Sequence, residues 1–143
     1  MVTVRIKLSK DVVKQEIEQL RQGVYTAALG LADKWNELVQ RAYLQGGYPV
    51  QWKPLARRTI RDKLLHGYPL DPLIRTGKMQ ASNVFKVSRS SKMAAITAFN
   101  KMRYWKFHET GTRRMPARPQ VNPALFEKEF AQYIEQRLGA KAV

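Results

Sequence analysis

With 143 residues, 26 Lys and Arg against 11 Asp and Glu, and a formal charge of +15, the chain has room for one folded unit with a one-sided surface. Hydrophobic residues make up 44%, enough for a packed core, and the lack of cysteine excludes disulfide frameworks, thiolate nucleophiles and sulfur-ligated zinc. Nothing in this composition points to an oxidising compartment, so the cytoplasm is the expected setting.

Val2, Val4, Ile6 and Leu8 alternate with Thr3, Arg5 and Lys7, the period of a half-buried strand, which argues against a cleaved secretory signal over Met1 to Lys10. Ser9 or Asp11 then opens a helix expected over about residues 10–43. Val13, Ile17, Leu20, Val24, Ala27, Leu31, Trp35, Leu38 and Ala42 trace one apolar stripe along it at intervals of three and four. Such a helix spans roughly 50 Å, more than the width of a domain this size, so one end is expected to project or the rod to bend near Gly23 or Gly30. Its longest uncharged stretch, Gln22 to Ala32, is too short to cross a bilayer.

Gly46, Gly47 and Pro49 stop this helix, and Pro54 suits the first turn of a shorter one carrying Leu55, Ile60, Leu64 and Leu65, with Arg57, Arg58, Arg61 and Lys63 on its outer faces. After an irregular stretch around Gly67, Pro69 and Pro72, Asn83 to Ser88 and Met93 to Phe99 read as a hairpin joined by Arg89, Ser90, Ser91 and Lys92. Tyr104, Trp105, Phe107 and His108 suit one helical turn before Gly111. Pro116 and Pro119 keep an arm of about residues 112–122 extended. A last helix starts near Pro123, carries Leu125, Phe126, Phe130, Ile134 and Leu138 on one side and ends at Gly139. The predicted class is α+β: a small antiparallel β-sheet with a long N-terminal helix and a C-terminal helix packed on one face.

Charge is distributed unevenly. Residues 1–50 carry seven bases and five acids, residues 51–119 sixteen and three, and residues 120–143 three of each, for net charges of +2, +13 and 0. A cationic middle between balanced ends is the pattern expected of a face that meets a polyanion or an acidic protein.

Catalytic chemistry finds little support. The basic middle offers only Asp62, Asp71 and Glu109 with His66 and His108 for acid and base work. His108 and Glu109 lack the second histidine of a helical metal site, and Gly46 and Gly47 are followed by no Lys-Ser or Lys-Thr pair that would mark a phosphate loop. No enzyme, cofactor or metal role is therefore expected. Lys101, Arg103, Tyr104, Trp105, Lys106 and Phe107, followed by Arg113, Arg114 and Arg118, interleave bases with aromatics. That composition suits single-stranded nucleic acid, with cations on phosphates and rings on bases. It equally suits rings anchored under a loop and arginines paired with a neighbouring subunit.

Four separated pieces carry a resemblance: Trp52, Pro54 and Leu55 with Thr59 and Lys63; Ile74, Thr76, Gly77 and Met79 with Ser82; Tyr104, His108, Glu109 and Gly111; and Pro116, Ala117, Arg118 and Pro119. Together they resemble the virion morphogenesis, or tail-completion, proteins of tailed bacteriophages and the related neck proteins that join head to tail. Two positions depart from the family pattern: Gln120 stands where an aromatic is usual, and Met79 where Leu is. The resemblance implies one neck-like domain over residues 1–143 and a non-enzymatic structural protein that forms a hexameric ring between tail tube and head connector. It implies as partners copies of itself, the tail tube or terminator, the connector and passing DNA, in the virion and, during assembly, in the host cytoplasm. Residues expected at subunit or partner contacts are Trp35, Trp52, Tyr104, Trp105, Arg113, Arg114, Pro116, Arg118 and Pro119. Arg57, Arg58, Arg61, Lys101 and Arg103 form the expected basic surface, and Gly77 and Gly111 the expected structural turns. For each contact residue an intrachain role uses the same residue types. The alternative function is an ordinary basic nucleic-acid-binding protein.

Overall fold

A computed structural model describes residues 1–7, 17–90 and 93–138. Strand β1 is Val2–Lys7, helix α1 Ile17–Gln45, α2 Arg57–His66, α3 Lys78–Ala81, strands β2 and β3 Asn83–Arg89 and Met93–Asn100, α4 Trp105–Thr110 and α5 Glu127–Leu138. The expected helix start at Ser9 or Asp11, Leu8, Val13, the turn residues Ser91 and Lys92, and the stop at Gly139 lie outside the described residues.

The fold is α+β. Its antiparallel sheet has the order β1-β3-β2, so β3 takes backbone hydrogen bonds on both edges, with Val4 opposite Ile96 on one side and Val87 opposite Ile96 on the other. Ala94, Ile96 and Ala98 alternate inward along β3, and the two alanines leave room for α1 to lie close over the sheet.

Helix α1 is held by the stripe seen in its sequence, of which Val24, Ala27, Leu31, Trp35, Leu38 and Ala42 are buried, joined by Ala28, Ala32, Val39 and Tyr43 beside it. At 29 residues it spans roughly 43 Å and runs unbroken through Gly23 and Gly30. The expectation of an outstretched rod is corrected from Gln22 onward. Arg89 of the hairpin donates from Nη1 to Gln22 Oε1 at 3.2 Å and stacks over Tyr25, and the stripe beyond covers the sheet. In the first turn Glu18, Gln19 and Leu20 are all exposed, so Leu20, expected on the apolar stripe, lies outside the core.

Trp35 ties the layers together. Its ring meets Phe85 of β2 and Phe130 of α5 edge-on at 5.3 and 5.5 Å, and its indole N–H donates to Val121 O at 3.1 Å. Truncating a tryptophan so placed costs about 3–5 kcal/mol, enough to unfold many domains of this size.

Two helices depart from expectation. Helix α2 begins at Arg57, capped by extended Ala56, so Pro54 and Leu55 precede it. The last helix begins as a 3-10 turn, Pro123–Phe126, before α5, with Asn122 Oδ1 accepting the Ala124 N–H at 3.1 Å.

Candidate functional site

The segment after α4 builds the site. Gly111, at φ 77°, turns the chain back so tightly that a Cβ there would stand 2.8 Å from the Ala117 nitrogen. Thr112 N–H donates to Met115 O and closes the loop tip, where Arg113 and Arg114 are exposed. The returning strand is then clamped to its own chain. Arg118 N–H donates to His108 O at 2.7 Å, while its guanidinium donates from Nε to Lys53 O and from Nη2 to Pro54 O, both at 3.1 Å. The Glu109 carboxylate accepts the N–H groups of Gln120, Val121 and Asn122 at 2.9, 3.0 and 2.9 Å. Trp52 donates its indole N–H to Pro119 O, and Tyr43 donates its hydroxyl to Gln120 Oε1.

This clamp corrects part of the expected contact surface. Trp35, Trp52, Trp105 and Arg118 are buried inside the chain, and Pro119 is half-buried against Trp52. Trp35 and Trp52 are internal where their indole N–H groups satisfy the arm's Val121 and Pro119 carbonyls, and Arg118 where its guanidinium reaches Lys53 and Pro54, whereas the Trp105 indole nitrogen is buried with no hydrogen-bond partner. Tyr104, Arg113 and Arg114 remain exposed, with Pro116 half-buried. Of the other rings in this cluster, Phe107 lies open with Lys106 Nζ 5.2 Å from its centroid.

Between α2, the 73–79 segment, α4 and the arm lies a groove of about 570 Å³. The four pieces singled out in the sequence converge on it: Pro54, Leu55, Thr59 and Lys63 from the first, Ile74, Thr76, Gly77 and Met79 from the second, Tyr104 and His108 from the third, and Pro116 and Arg118 from the fourth. Gly77, at φ 79°, turns the second piece into α3.

Lys63 overturns the expectation that it covers the outer face of α2. It is 6% exposed, and its ammonium donates to Asp71 O and Ile74 O, both at 2.7 Å, holding the Pro-containing connection against the helix. In exchange Leu64 and Leu65, expected on the apolar side, face solvent at 64% and 78% exposure. Sequence reasoning missed Lys63 as a groove residue; the signal available was its three-residue spacing from Ile60, which puts the two on one helical face.

Electrostatics follow burial. Desolvation first, and the neighbouring Arg75 and Arg118 charges next, hold the Lys63 ammonium below its ordinary value, against the favourable pull of Asp71. Burial lowers the Arg118 guanidinium as well. Burial first and Arg118 second push the His108 imidazole down, and its Nδ1 is buried with no hydrogen-bond partner. Burial raises the Glu109 carboxyl, opposed by the three backbone donors it accepts.

The expected basic surface stays open: Arg57, Arg58, Arg61, Lys101 and Arg103 are exposed, and among the described residues none of them is ion-paired with a carboxylate. Asp62 is already shared between His66 and Arg75 at 3.3 and 3.4 Å. Among the described residues no group of three His, Asp or Glu side chains could hold a metal ion, and no helix is long and apolar enough to cross a membrane. Set against family models, curated proteins and solved structures, the chain matches none.

Proposed function

We propose that the chain is a structural subunit of a tailed-phage particle, completing the tail and joining it to the head connector as part of a ring of its own copies. Its mechanism is assembly, without turnover. The observation that carries this reading is the convergence of four sequence pieces, spread from Trp52 to Pro119, on one groove beside an unpaired cationic surface. Glu109 and His108 support it from the other side. The Glu109 carboxylate is occupied by three backbone N–H groups and is not free to act as an acid or base toward a substrate, and burial and the Arg118 cation beside His108 keep that imidazole neutral. Native mass spectrometry of the chain, alone and mixed with purified tails, tests the reading: a closed oligomer that associates with tails is expected, and a strict monomer indifferent to tails and connectors contradicts it.

The exposed cations Arg57, Arg58, Arg61, Lys101, Arg103, Arg113 and Arg114 favour a second reading, nucleic-acid binding. Phosphate-dominated affinity falls steeply as salt rises. Negligible DNA binding near physiological salt removes this as the primary function.

A further inference from the structure

We infer that the groove between α2 and the 111–119 loop docks an acidic peptide segment of a partner protein, its carboxylates over Lys63 and Arg118 and its apolar side chains on the groove floor. The inference deepens the assembly reading and rests on it only in taking the partner to be a virion neighbour.

Charge is the first argument. Lys63, Arg75, Lys78, Arg114 and Arg118 line the groove, Arg75 already paired with Asp62, and among the described residues no Asp or Glu lines it. Lys63 and Arg118 are each only 6% exposed, yet their hydrogen bonds end on neutral backbone carbonyls, and among the described residues no carboxylate is ion-paired with either. Asp71 attracts the Lys63 ammonium without pairing with it, and the desolvation cost that remains on the two cations is one an arriving carboxylate offsets.

Apolar surface is the second argument. Leu55, Leu73, Ile74 and Met115 stand half-buried along the same recess, where side chains of a partner would complete their contacts. The flexible thioether of Met115 adapts to differing partner shapes.

Nucleic acid fits the recess less well. The aromatic rings among its lining residues, Tyr104 and His108, meet edge-on at 6.2 Å and present no parallel stacking platform to successive bases, and the exposed Arg57, Arg58 and Arg61 lie outside it. As an occupant of this particular groove a second copy fits less well too, because the chain has only 11 acids against 26 bases with which to meet these cations.

The test is selection of short random peptides displayed as a library on the immobilised full chain, followed by fluorescence anisotropy of the enriched peptides. Enriched sequences are expected to place Asp or Glu beside aliphatic or aromatic residues. Their affinity is expected to drop about tenfold or more in Thr59→Trp, which fills the groove from exposed Thr59, and in Arg114→Glu, while Arg5→Glu on β1 changes it less than about twofold. Circular dichroism and melting of each variant establish that it is folded, and the two groove variants act through different elements. Enrichment of peptides without acidic residues, equal binding by the groove variants, an equal loss in Arg5→Glu, or an oligothymidylate that outcompetes every peptide from the groove each overturns the inference. Failure here with continued binding of the chain to tails removes this site alone; peptide binding by a chain that ignores tails removes the assembly reading alone.

Discussion

The backbone N–H of Gln120 donates to the Glu109 carboxylate at 2.9 Å, so this point of the arm is fixed by a hydrogen bond from backbone to an acidic side chain of α4. The Gln120 side chain is fully buried, accepting from Tyr43 and donating from Nε2 to Arg118 O at 3.2 Å. Replacing the acid by Glu109→Gln puts an NH₂ among three N–H donors and leaves at least one without an acceptor. The expected loss is about 2 kcal/mol in urea unfolding, with faster hydrogen exchange at residues 120–122.

Lys63→Met keeps an unbranched side chain, one atom shorter, but strips the donors from Asp71 O and Ile74 O. Removal of the buried charge offsets part of the loss, and a net cost of about 1–3 kcal/mol is expected from the same measurement.

The two glycines of α1 are expected to respond in opposite directions. A Cβ at Gly23 meets nothing within 4 Å, so Gly23→Ala should stabilise by about 0.5–1 kcal/mol through helix propensity. At Gly30 the Cβ would stand 1.8 Å from the Tyr133 hydroxyl oxygen, where α5 crosses α1. Gly30→Ala is therefore expected to destabilise the native chain, and to stabilise it by about the Gly23→Ala amount once Tyr133→Ala has cleared the space.

Acid response depends on His108. Its pKa is lowered in the fold from 6.5, so it contributes stability that is fully present above pH 6.5 and is lost as pH falls through the lowered value. Glu109 acts oppositely. Its pKa is raised from 4.5, and its contribution is present below that pH and fades as pH rises through the raised value. Melting temperature is expected to fall between pH 7 and 5.5 in the native chain, and to fall less in His108→Gln.

Leu64 and Leu65 stand out on α2 beside Arg61 and are the part of that helix with most to gain from a neighbour. The double change Leu64→Glu, Leu65→Glu is expected to leave stability within about 0.5 kcal/mol and to abolish the proposed oligomer in native mass spectrometry. An unaltered oligomer would place the contact elsewhere.

These cases show where sequence was legible. Alternation in Val2 to Ile6, the 3.6-residue stripe from Val24 to Ala42 and the apolar run from Leu125 to Ile134 report burial against a single layer, and periodicity alone reveals that. Helix α2 defeated the same reasoning because what its inner face meets is the carbonyl groups of Asp71 and Ile74, a polar surface that favours Lys63 over Leu64 and Leu65. Arg118, Trp52 and Trp105 could equally have served a neighbour or their own chain. The return of the arm onto Lys53, Pro54 and Glu109 is what puts Arg118 and Trp52 inside the chain, and that return is a tertiary event with no local signature.

Electron microscopy of tails incubated with gold-labelled chain tests the central claim most directly. Label confined to the head-proximal end of the tail, at one ring per tail, is the result this account expects. Tails without label, or label scattered along tubes and over free DNA, would contradict it.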